Sequence, residues 1–554
     1  MAAPASAPAV TGVERARARA TLGAPMSAPS LFALAGPLPK AGAILAVLLA
    51  AGALLAREPR RRALAMTGAL VLAPVLLLAD IWHSPQLAVM RHHPLPAALA
   101  GVVAVGAVCA LAWLMARRPL VLPLLVVLAL PFRVPIQVGG TTSNLLVPLY
   151  VVIAAGALAA IVAGLRETRF RPPVTASGDL PTDFRPPVTA SGDLRATSQG
   201  WLERALALSV ALYGLQATYS SDFDKALQQI AFFIVPFALL FVLLAQVEWT
   251  PRLLRLCLAL LVGLALVFSG IGYVEYATKH IFLNPKLVAS NDLHTYFRTN
   301  SVFFDPNIYG RFLVVAMLAV VATLLATARA RVVWAGAFVL AALWAGLVLT
   351  LSQSSLGALL VGLATLAVLR WGTKRVLLPA GAVVAVALAA VLVTPHTFGV
   401  NLHDLNGSSS GRSQLVSGGG SLFAARPIAG YGSGSFIVEY RRHESRHLST
   451  DATTASHTIP VTIAAEQGAI GLIAYLALLA AALARLFGRG AGTSVARSFA
   501  AAAFLALLFH TLVYAAFLED PITWALLGLG AALAAAAAPR PAETPTGVPA
   551  RAIS

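Results

Sequence analysis

Apolar runs of about the length needed to cross a lipid bilayer follow one another through most of this chain. A helix needs about 20 mainly apolar residues to span the hydrocarbon core. Hydrophobic residues make up 58% of the 554 positions and charged residues only 11%, a balance that excludes a soluble globular domain. The sequence predicts an all-α, polytopic transmembrane helical bundle of about 12–15 spans. The candidate spans are residues 41–56, 63–81, 95–116, 119–132, 145–165, 201–219, 227–247, 253–275, 308–328, 332–350, 353–370, 376–395, 460–486, 498–518 and 521–538.

Arginine and lysine are concentrated in alternate connections between these runs. Basic loops remain on the cytoplasmic side of a membrane, which predicts a cytoplasmic position for residues 57–62, 166–204 and 485–497, among others. Most of the net charge of +18 then serves topology, and no nucleic-acid partner is needed to explain it. The remaining connections are predicted to face outward: 80–94, 133–144, 220–226, 276–307 and 396–459.

The apolar runs and the connections between them divide the chain into segments. Residues 170–180 and 184–194 are two copies of Phe-Arg-Pro-Pro-Val-Thr-Ala-Ser-Gly-Asp-Leu, which indicate a flexible linker. Cys109 and Cys257 fall inside apolar runs and are expected to be small buried hydrophobic residues. The predicted segments are a disordered leader (1–40), N-terminal membrane helices (41–165), a cytoplasmic linker (166–200), central membrane helices (201–395), an extracytoplasmic catalytic loop with short helices (396–459), C-terminal membrane helices (460–538) and a cytoplasmic tail (539–554).

The first long outward connection contains an arginine where the charge rule does not predict one. Asp305-Pro306-Asn307 is typical of a helix start, with Asp305 or Asn307 capping free amides. Arg298, on the approach to that start, has no comparable structural explanation. We therefore take Arg298 as a candidate functional residue.

The second outward connection, residues 396–459, has the highest density of polar residues between apolar runs. Arg412, Arg426 and His457 lie in it, and Arg441, Arg442 and Arg446 are expected to form a solvated run. Gly430 and Gly432 permit a tight backbone path but lack the Gly-Lys-Ser/Thr sequence of a phosphate-binding loop. His457 is either an interfacial anchor or a functional group at the start of the next span.

The order of these short motifs is similar to that of a known family. Arg298 with Asp305-Pro306-Asn307, Leu351 to Ser355, Gly411-Arg412, Pro427 with Gly430 and Gly432, and His457 with Glu466, Gly468 and Gly471 together resemble the O-antigen ligase and polymerase family of membrane glycosyltransferases. The resemblance covers roughly residues 200–520. Two positions depart from the family pattern: Ser355 stands where many members have Arg, and Thr458 where Asn is common.

The resemblance implies transfer of a glycan from a polyprenyl-diphosphate carrier, such as undecaprenyl diphosphate, to an acceptor hydroxyl. The acceptor would be a glycan, lipid or protein at the outer side of a bacterial inner membrane, and the reaction would need neither metal nor cofactor. Guanidinium groups suit the anionic leaving group because they bind phosphate bidentately and stay charged. We expect His457, Arg298 and Arg412 to be catalytic, and the expected substrate-binding residues are Asp305, Asn307, Arg426, Gly430, Gly432 and Glu466.

Three alternatives remain open at this stage. A polymerase would share the donor chemistry and join lipid-linked repeat units instead. Asp222-Phe223-Asp224 is an outward carboxylate pair that could hold a divalent metal, although a helix cap explains it as well. A non-enzymatic polysaccharide flippase is the third alternative, but transporters usually carry polar residues and broken helices near the membrane midplane.

Overall fold

The computed structural model describes residues 37–82, 91–138, 141–167, 200–282, 287–288, 291, 296–393, 412–444, 458–488, 490–514 and 517–537, and most of them are helical. His457, the tandem repeat at 170–194, most of the predicted leader and all of the predicted tail lie outside these ranges.

The N-terminal half is a series of helices interrupted by one β-hairpin. Many begin with proline in the first turn, where its missing N–H costs nothing. The elements are α1 (Pro37–Leu55), α2 (Pro59–Ile81), α3 (Pro94–Arg117), α4 (Val121–Ala129), β1 (Val134–Val138), β2 (Thr141–Leu145), α5 (Val147–Glu167), α6 (Trp201–Ala217), and α7 (Phe223–Gln229), which continues through a π-turn (Ile230–Ile234) into α8 (Val235–Ala245).

The C-terminal half is helical throughout its described part. Side chains cap several of these helices: Thr250 caps the first, and Ser352 caps α12 by accepting a hydrogen bond from Ser355 N. The helices are α9 (Pro251–Thr278), α10 (Pro306–Leu324), α11 (Ala330–Leu349), α12 (Gln353–Trp371), α13 (Thr373–Val393), α14 (Arg412–Ala425), α15 (Phe436–Glu444), α16 (Ile459–Leu486), α17 (Val495–Thr511) and α18 (Pro521–Ala536).

Ten helices in the described part of the chain are long and apolar enough to cross a membrane. The prediction of a polytopic helical membrane protein is confirmed. The other five predicted spans coincide with α4, α6, α13, α17 and α18, which are outside that set of ten. Of these, α17 and α18 are apolar but shorter than the usual crossing length.

Two apolar cores hold the bundle together. In the first, α1 packs on α2 and α6, α6 packs on α16, and α8 packs on α18. In the second, α10 packs on α11, α12 and α17 around Phe268, Phe303 and Phe312. Close contacts between small residues bring helices near to each other, as at Gly310, where an added Cβ would lie 2.6 Å from Ser355 Oγ.

The connections gather at two opposite ends of the bundle. The loop end consists of residues 217–223, 296–306, 349–353, 425–436, 512–514 and 517–521, linked by contacts such as Thr299 N to Leu349 O (3.2 Å) and Thr458 Oγ1 to Leu512 O (3.2 Å). The basic end contains Arg62, Glu203 and Arg485, which line one small pocket. The helices thus place both long polar connections at the same end, as the alternating charge pattern predicts.

Two local features differ from the sequence prediction. Residues 134–138 and 141–145 form an antiparallel pair of strands with Val134 opposite Leu145, whereas only a connection was predicted there. Cys109 is exposed on α3 and Cys257 is partly exposed on α9, so the expectation that both are buried is wrong. An apolar residue on a membrane helix can face lipid at no cost, and apolarity therefore does not predict burial within the protein.

The sidedness predicted from the basic loops can be measured with single cysteines. Ser421 on α14 and Thr493 near the start of α17 are both exposed and lie towards opposite ends. In a background with Cys109→Ala and Cys257→Ala, we expect Ser421→Cys to react with a membrane-impermeant maleimide in intact cells and Thr493→Cys to react only after permeabilisation. Labelling of Thr493→Cys alone in intact cells would invert the topology.

Candidate functional site

The turn that carries Arg298 is held by a buried carboxylate at the end of α9. Glu275 is fully buried, and its Oε2 accepts hydrogen bonds from Asn300 N (3.1 Å) and Ser301 N (2.7 Å). Ser301 has φ 52°, an uncommon backbone conformation for a non-glycine residue. The carboxylate therefore satisfies amides that this left-handed turn leaves without a backbone partner.

Arg298 is half-buried at the loop end. Its Nε donates to Thr350 O at 2.9 Å, at the point where α11 ends. Its backbone is fixed by Asn291, whose Oδ1 accepts from Arg298 N at 3.1 Å. One edge of the guanidinium thus anchors the side chain, and the structure gives its terminal nitrogens no hydrogen bond within the described residues.

Asp305 and Asn307 connect the start of α10 to the start of α12. Asp305 Oδ1 accepts a hydrogen bond from Asn307 N at 2.6 Å, which confirms the predicted cap. Asn307 Oδ1 accepts from Ser352 Oγ at 2.8 Å. The residues of the Asp-Pro-Asn and Ser-Gln-Ser-Ser motifs, far apart in sequence, therefore lie side by side.

A buried ion pair lies one turn deeper along α10. Arg311 Nη1 is 2.8 Å from Asp520 Oδ2, and the two side chains are only 2% and 3% exposed. His510, also buried, places Nε2 at 3.2 Å from Ser354 Oγ and 3.3 Å from Ser355 Oγ. Charges at this depth are costly and generally mark function.

Two further residues complete what we call the polar centre: Arg133, Asp305, Asn307, Arg311, His510, Tyr514 and Asp520. The Tyr514 ring lies 5.5 Å from the His510 ring and 5.9 Å from the Arg311 guanidinium carbon. Burial raises the pKa of the Tyr514 hydroxyl, and the Asp305 carboxylate adds to this rise. Burial lowers the pKa of Arg133, on which the charges of Asp520 and Arg311 act in opposite directions.

The glycine-rich segment 427–434 docks onto a break in α16. Gly468 interrupts that helix with φ 64° and ψ −163°. Ala469 N donates to Pro427 O (2.7 Å) and Gly432 N donates to Glu466 O (2.7 Å), so the segment supplies the hydrogen bonds that the break removes. A Cβ added at Gly430 would lie 2.3 Å from Glu466 O, which is why glycine is needed there.

The Glu466 side chain holds the same segment from the other side. Its Oε2 accepts from Gly434 N at 2.8 Å and its Oε1 from Phe436 N at 3.1 Å. Gly432 approaches the end of α6, where an added Cβ would lie 2.4 Å from Ser220 Cα. In this conformation Gly430, Gly432 and Glu466 form one hydrogen-bonded unit, and both oxygens of the carboxylate are occupied by backbone amides.

The structure describes the other three predicted residues, Arg426, Arg412 and His457, less completely. Arg426 is exposed, and its guanidinium carbon lies 4.5 Å from the centre of the Tyr431 ring. Arg412 begins α14, but the position of its side chain is outside the described part. His457 is likewise undescribed, while the next residue, Thr458, donates to Leu512 O two residues before Tyr514.

A cavity of about 110 Å³ with both apolar and polar lining residues lies beneath the docked glycine segment, between α6, α16 and residues 517–519. Glu519 accepts from Gln229 Nε2 at 2.5 Å, and Gln229 in turn accepts from the Tyr213 hydroxyl. Burial raises the pKa of the Glu519 carboxyl, while the charges of Lys225 and Arg133 oppose the rise. The cavity offers hydroxyl, amide and carboxyl groups, which are the partners that sugar hydroxyls use.

Asp222, the alternative metal ligand, has a structural role. It caps α7 by accepting a hydrogen bond from Lys225 N at 3.1 Å, as the helix-cap interpretation predicted. Asp224 follows within the first turn of the same helix, where a negative charge is favourable.

Sequence reasoning missed four members of the polar centre: Arg133, His510, Tyr514 and Asp520. Arg133 is far in sequence from the other three, which lie between the last turn of α17 and the start of α18, so no single local motif includes all four. The available signal was their chemistry, because ionisable residues beside or inside apolar runs are rare and usually have partners. Arg311 lies close to the helix start at Asp305-Pro306-Asn307, and that position alone does not indicate its pairing with Asp520.

Comparison with known proteins adds one positive finding. A family model described as O-antigen ligase matches residues 337–476, from α11 to the middle of α16. The match includes Ser352 to Ser355 and the glycine segment with Glu466. A comparison with curated proteins finds no match at the threshold applied. The match supports a membrane function of the O-antigen ligase or polymerase kind, and it shows that residues 337–476 are similar to the O-antigen ligase family.

Proposed function

We propose that this protein is a membrane glycosyltransferase of the ligase type. It transfers a glycan from a polyprenyl-diphosphate carrier to an acceptor hydroxyl at the loop end of the bundle, which faces the outer side of a bacterial inner membrane. The observation that carries the proposal is the clustering of polar and cationic side chains at that end. Arg298, the buried Arg311–Asp520 pair and the docked glycine segment all lie there.

The reaction breaks the bond between the anomeric carbon of the glycan and the diphosphate, and forms a bond from that carbon to the acceptor oxygen. The acceptor proton must leave, and the diphosphate takes up negative charge. Arg298 and Arg412 are proposed to stabilise that charge, because preorganised cations act most strongly where charge develops. His457 is proposed to accept the proton, a role suited to an unperturbed imidazole pKa of about 6.5.

Asp305 and Asn307 act indirectly in this proposal. Their hydrogen bonds fix the start of α10 against α12 and so position the approach that carries Arg298. Glu466, Gly430 and Gly432 similarly hold the segment that follows Arg426. Polar groups on the acceptor or donor glycan are proposed to contact the exposed face of this segment.

A purified-protein assay tests the function. Protein in detergent micelles, given a polyprenyl-diphosphate-linked glycan and an acceptor, should release the carrier and yield a glycosylated acceptor detectable by mass spectrometry. Detergent micelles have no second compartment, so a flippase would give no product. A product consisting only of lengthened, still lipid-linked chains would support the polymerase alternative instead.

The proposed chemistry uses guanidinium groups and predicts independence from divalent metals. Activity should persist in excess EDTA, and Asp222→Ala combined with Asp224→Ala should retain most of it. The lost cap costs about 1 kcal/mol of stability, which a thermal melt will register. Loss of activity on chelation, restored by magnesium or manganese, would assign the enzyme to the metal-dependent class.

A further inference from the structure

An apolar cavity of about 430 Å³ lies between helices of the bundle. It is lined by residues of α4, α8, α9, α10, α17 and α18, and Arg255 is the one charged residue among them. That arginine and Pro251 are exposed and mark its mouth towards the basic end. The volume falls in the range of small-molecule binding pockets.

The other end of this cavity lies directly beside the polar centre. Three of its lining residues, Leu130, Val315 and Ile522, are separated by only two to four positions from charged members of that centre. These members are Arg133, Arg311 and Asp520. The apolar cavity therefore lies next to a cluster of charged residues.

Arg133 is the cation in this cluster that has no direct partner. Arg311 pairs with Asp520, Asp305 caps α10, and Glu519 accepts from Gln229. No ion pair or hydrogen bond joins Arg133 to another residue in the described ranges, although it is half-buried. Asp520 acts on Arg133 through its charge but is paired with Arg311, so a further anion beside the Arg133 guanidinium would be stabilised.

We propose that Arg133 and the apolar cavity together bind the carrier lipid. The hydrocarbon chain lies between α4, α9 and α10, and the phosphate nearest to the lipid contacts the Arg133 guanidinium. Arg298 and Arg412 remain the groups for the phosphate nearest to the glycan. This inference rests on the proposed function and adds to it a binding residue from the N-terminal half, outside residues 337–476.

The chain provides its own reporter for occupancy. Cys257 on α9 lines the cavity, whereas Cys109 is exposed on α3 away from it. A ligand in the cavity should slow alkylation of Cys257 by N-ethylmaleimide and leave Cys109 unchanged. At a concentration of roughly ten times the dissociation constant, a C55 polyprenyl phosphate should slow Cys257 alkylation about tenfold.

Two arginine substitutions at the two ends of the cavity decide the source of the ligand. Arg133→Gln should abolish protection by the polyprenyl phosphate at that concentration, and Arg133→Lys should retain part of it. Arg255→Gln at the basic end is the matched control and should leave protection intact. Polyprenol, which lacks the phosphate, should protect less than the phosphate does.

Other outcomes would overturn the proposal. Full protection in Arg133→Gln would remove Arg133 from the site. Equal protection by phosphatidylglycerol, lost in Arg255→Gln, would identify the cavity as a site for a phospholipid from the basic side. The transfer assay distinguishes failure of this binding site from failure of the proposed function. Transfer by the wild type without any Cys257 protection refutes this site alone. Protection without transfer to any acceptor refutes the proposed function.

Discussion

Asp520→Ala is expected to lower the free energy of unfolding by about 3–5 kcal/mol, because it leaves the Arg311 charge buried without its partner. Both side chains are almost completely buried, and 2.8 Å separates their charged atoms. Arg311→Ala should cost a comparable amount by leaving the Asp520 carboxylate unpaired. Unfolding of purified protein in mixed micelles with increasing SDS measures the change.

A double replacement separates the effect of losing the ion pair from the effect of leaving one charge buried without its partner. Arg311→Met with Asp520→Leu removes both charges together and should recover the lost stability except for about 1 kcal/mol, because buried ion pairs replaced by apolar residues are often neutral but the Asp520 cap of α18 is lost. Arg61, which pairs with Glu58 at the exposed basic end, is the control. Arg61→Ala should leave stability within about 0.5 kcal/mol. A similar loss of stability in all variants, including Arg61→Ala, would mean that burial of the Arg311–Asp520 pair does not explain the effect.

His457→Ala is expected to slow turnover by about a hundredfold or more, the usual scale for a lost general base, with donor affinity nearly unchanged. Arg298→Ala and Arg412→Ala should instead weaken both donor binding and turnover. Each removes charge-assisted hydrogen bonds worth about 1.5–3 kcal/mol, which corresponds to roughly 10- to 150-fold. Turnover and donor affinity are measured for each variant in nanodiscs.

Two kinds of control variant test these roles. One replaces the same arginines by lysine, and the other removes a different arginine of the same connection. Arg298→Lys and Arg412→Lys should keep only part of the wild-type activity, since lysine keeps the charge but loses the bidentate geometry. Arg441 is exposed on α15 in the same connection, and Arg441→Ala should keep near wild-type turnover. Full activity in both lysine variants, or in His457→Ala, would show that these residues anchor the loop and do not perform the chemistry.

The helical framework could be predicted because its cause is local. Each of the fifteen apolar runs overlaps a helix, and the caps at Asp222 and Asp305 follow from short-range hydrogen bonding. The break at Gly468 could not be predicted in this way, because glycine is also common inside unbroken membrane helices. Its conformation depends on a partner segment some forty residues earlier in the chain.

The site was only partly predictable for the same reason. Arg298, Asp305 and Asn307 occur close together in sequence and were identified as a group. The polar centre depends on the crossing of α10 and α12 with the ends of α4 and α17, which brings Arg133, His510 and Asp520 together. Sequence patterns specify which face of a helix is apolar, but they do not specify which neighbour it meets.

The docking of residues 427–432 onto the broken helix makes the outer loop and the membrane domain a single mechanical unit. Four backbone hydrogen bonds cross from the loop to α16, and the helix can straighten at Gly468 only if they break together. Release of the loop from α16 and straightening of that helix at Gly468 are therefore coupled. Because α16 runs on to Arg485 at the opposite end, one helix connects the docked loop with the basic end.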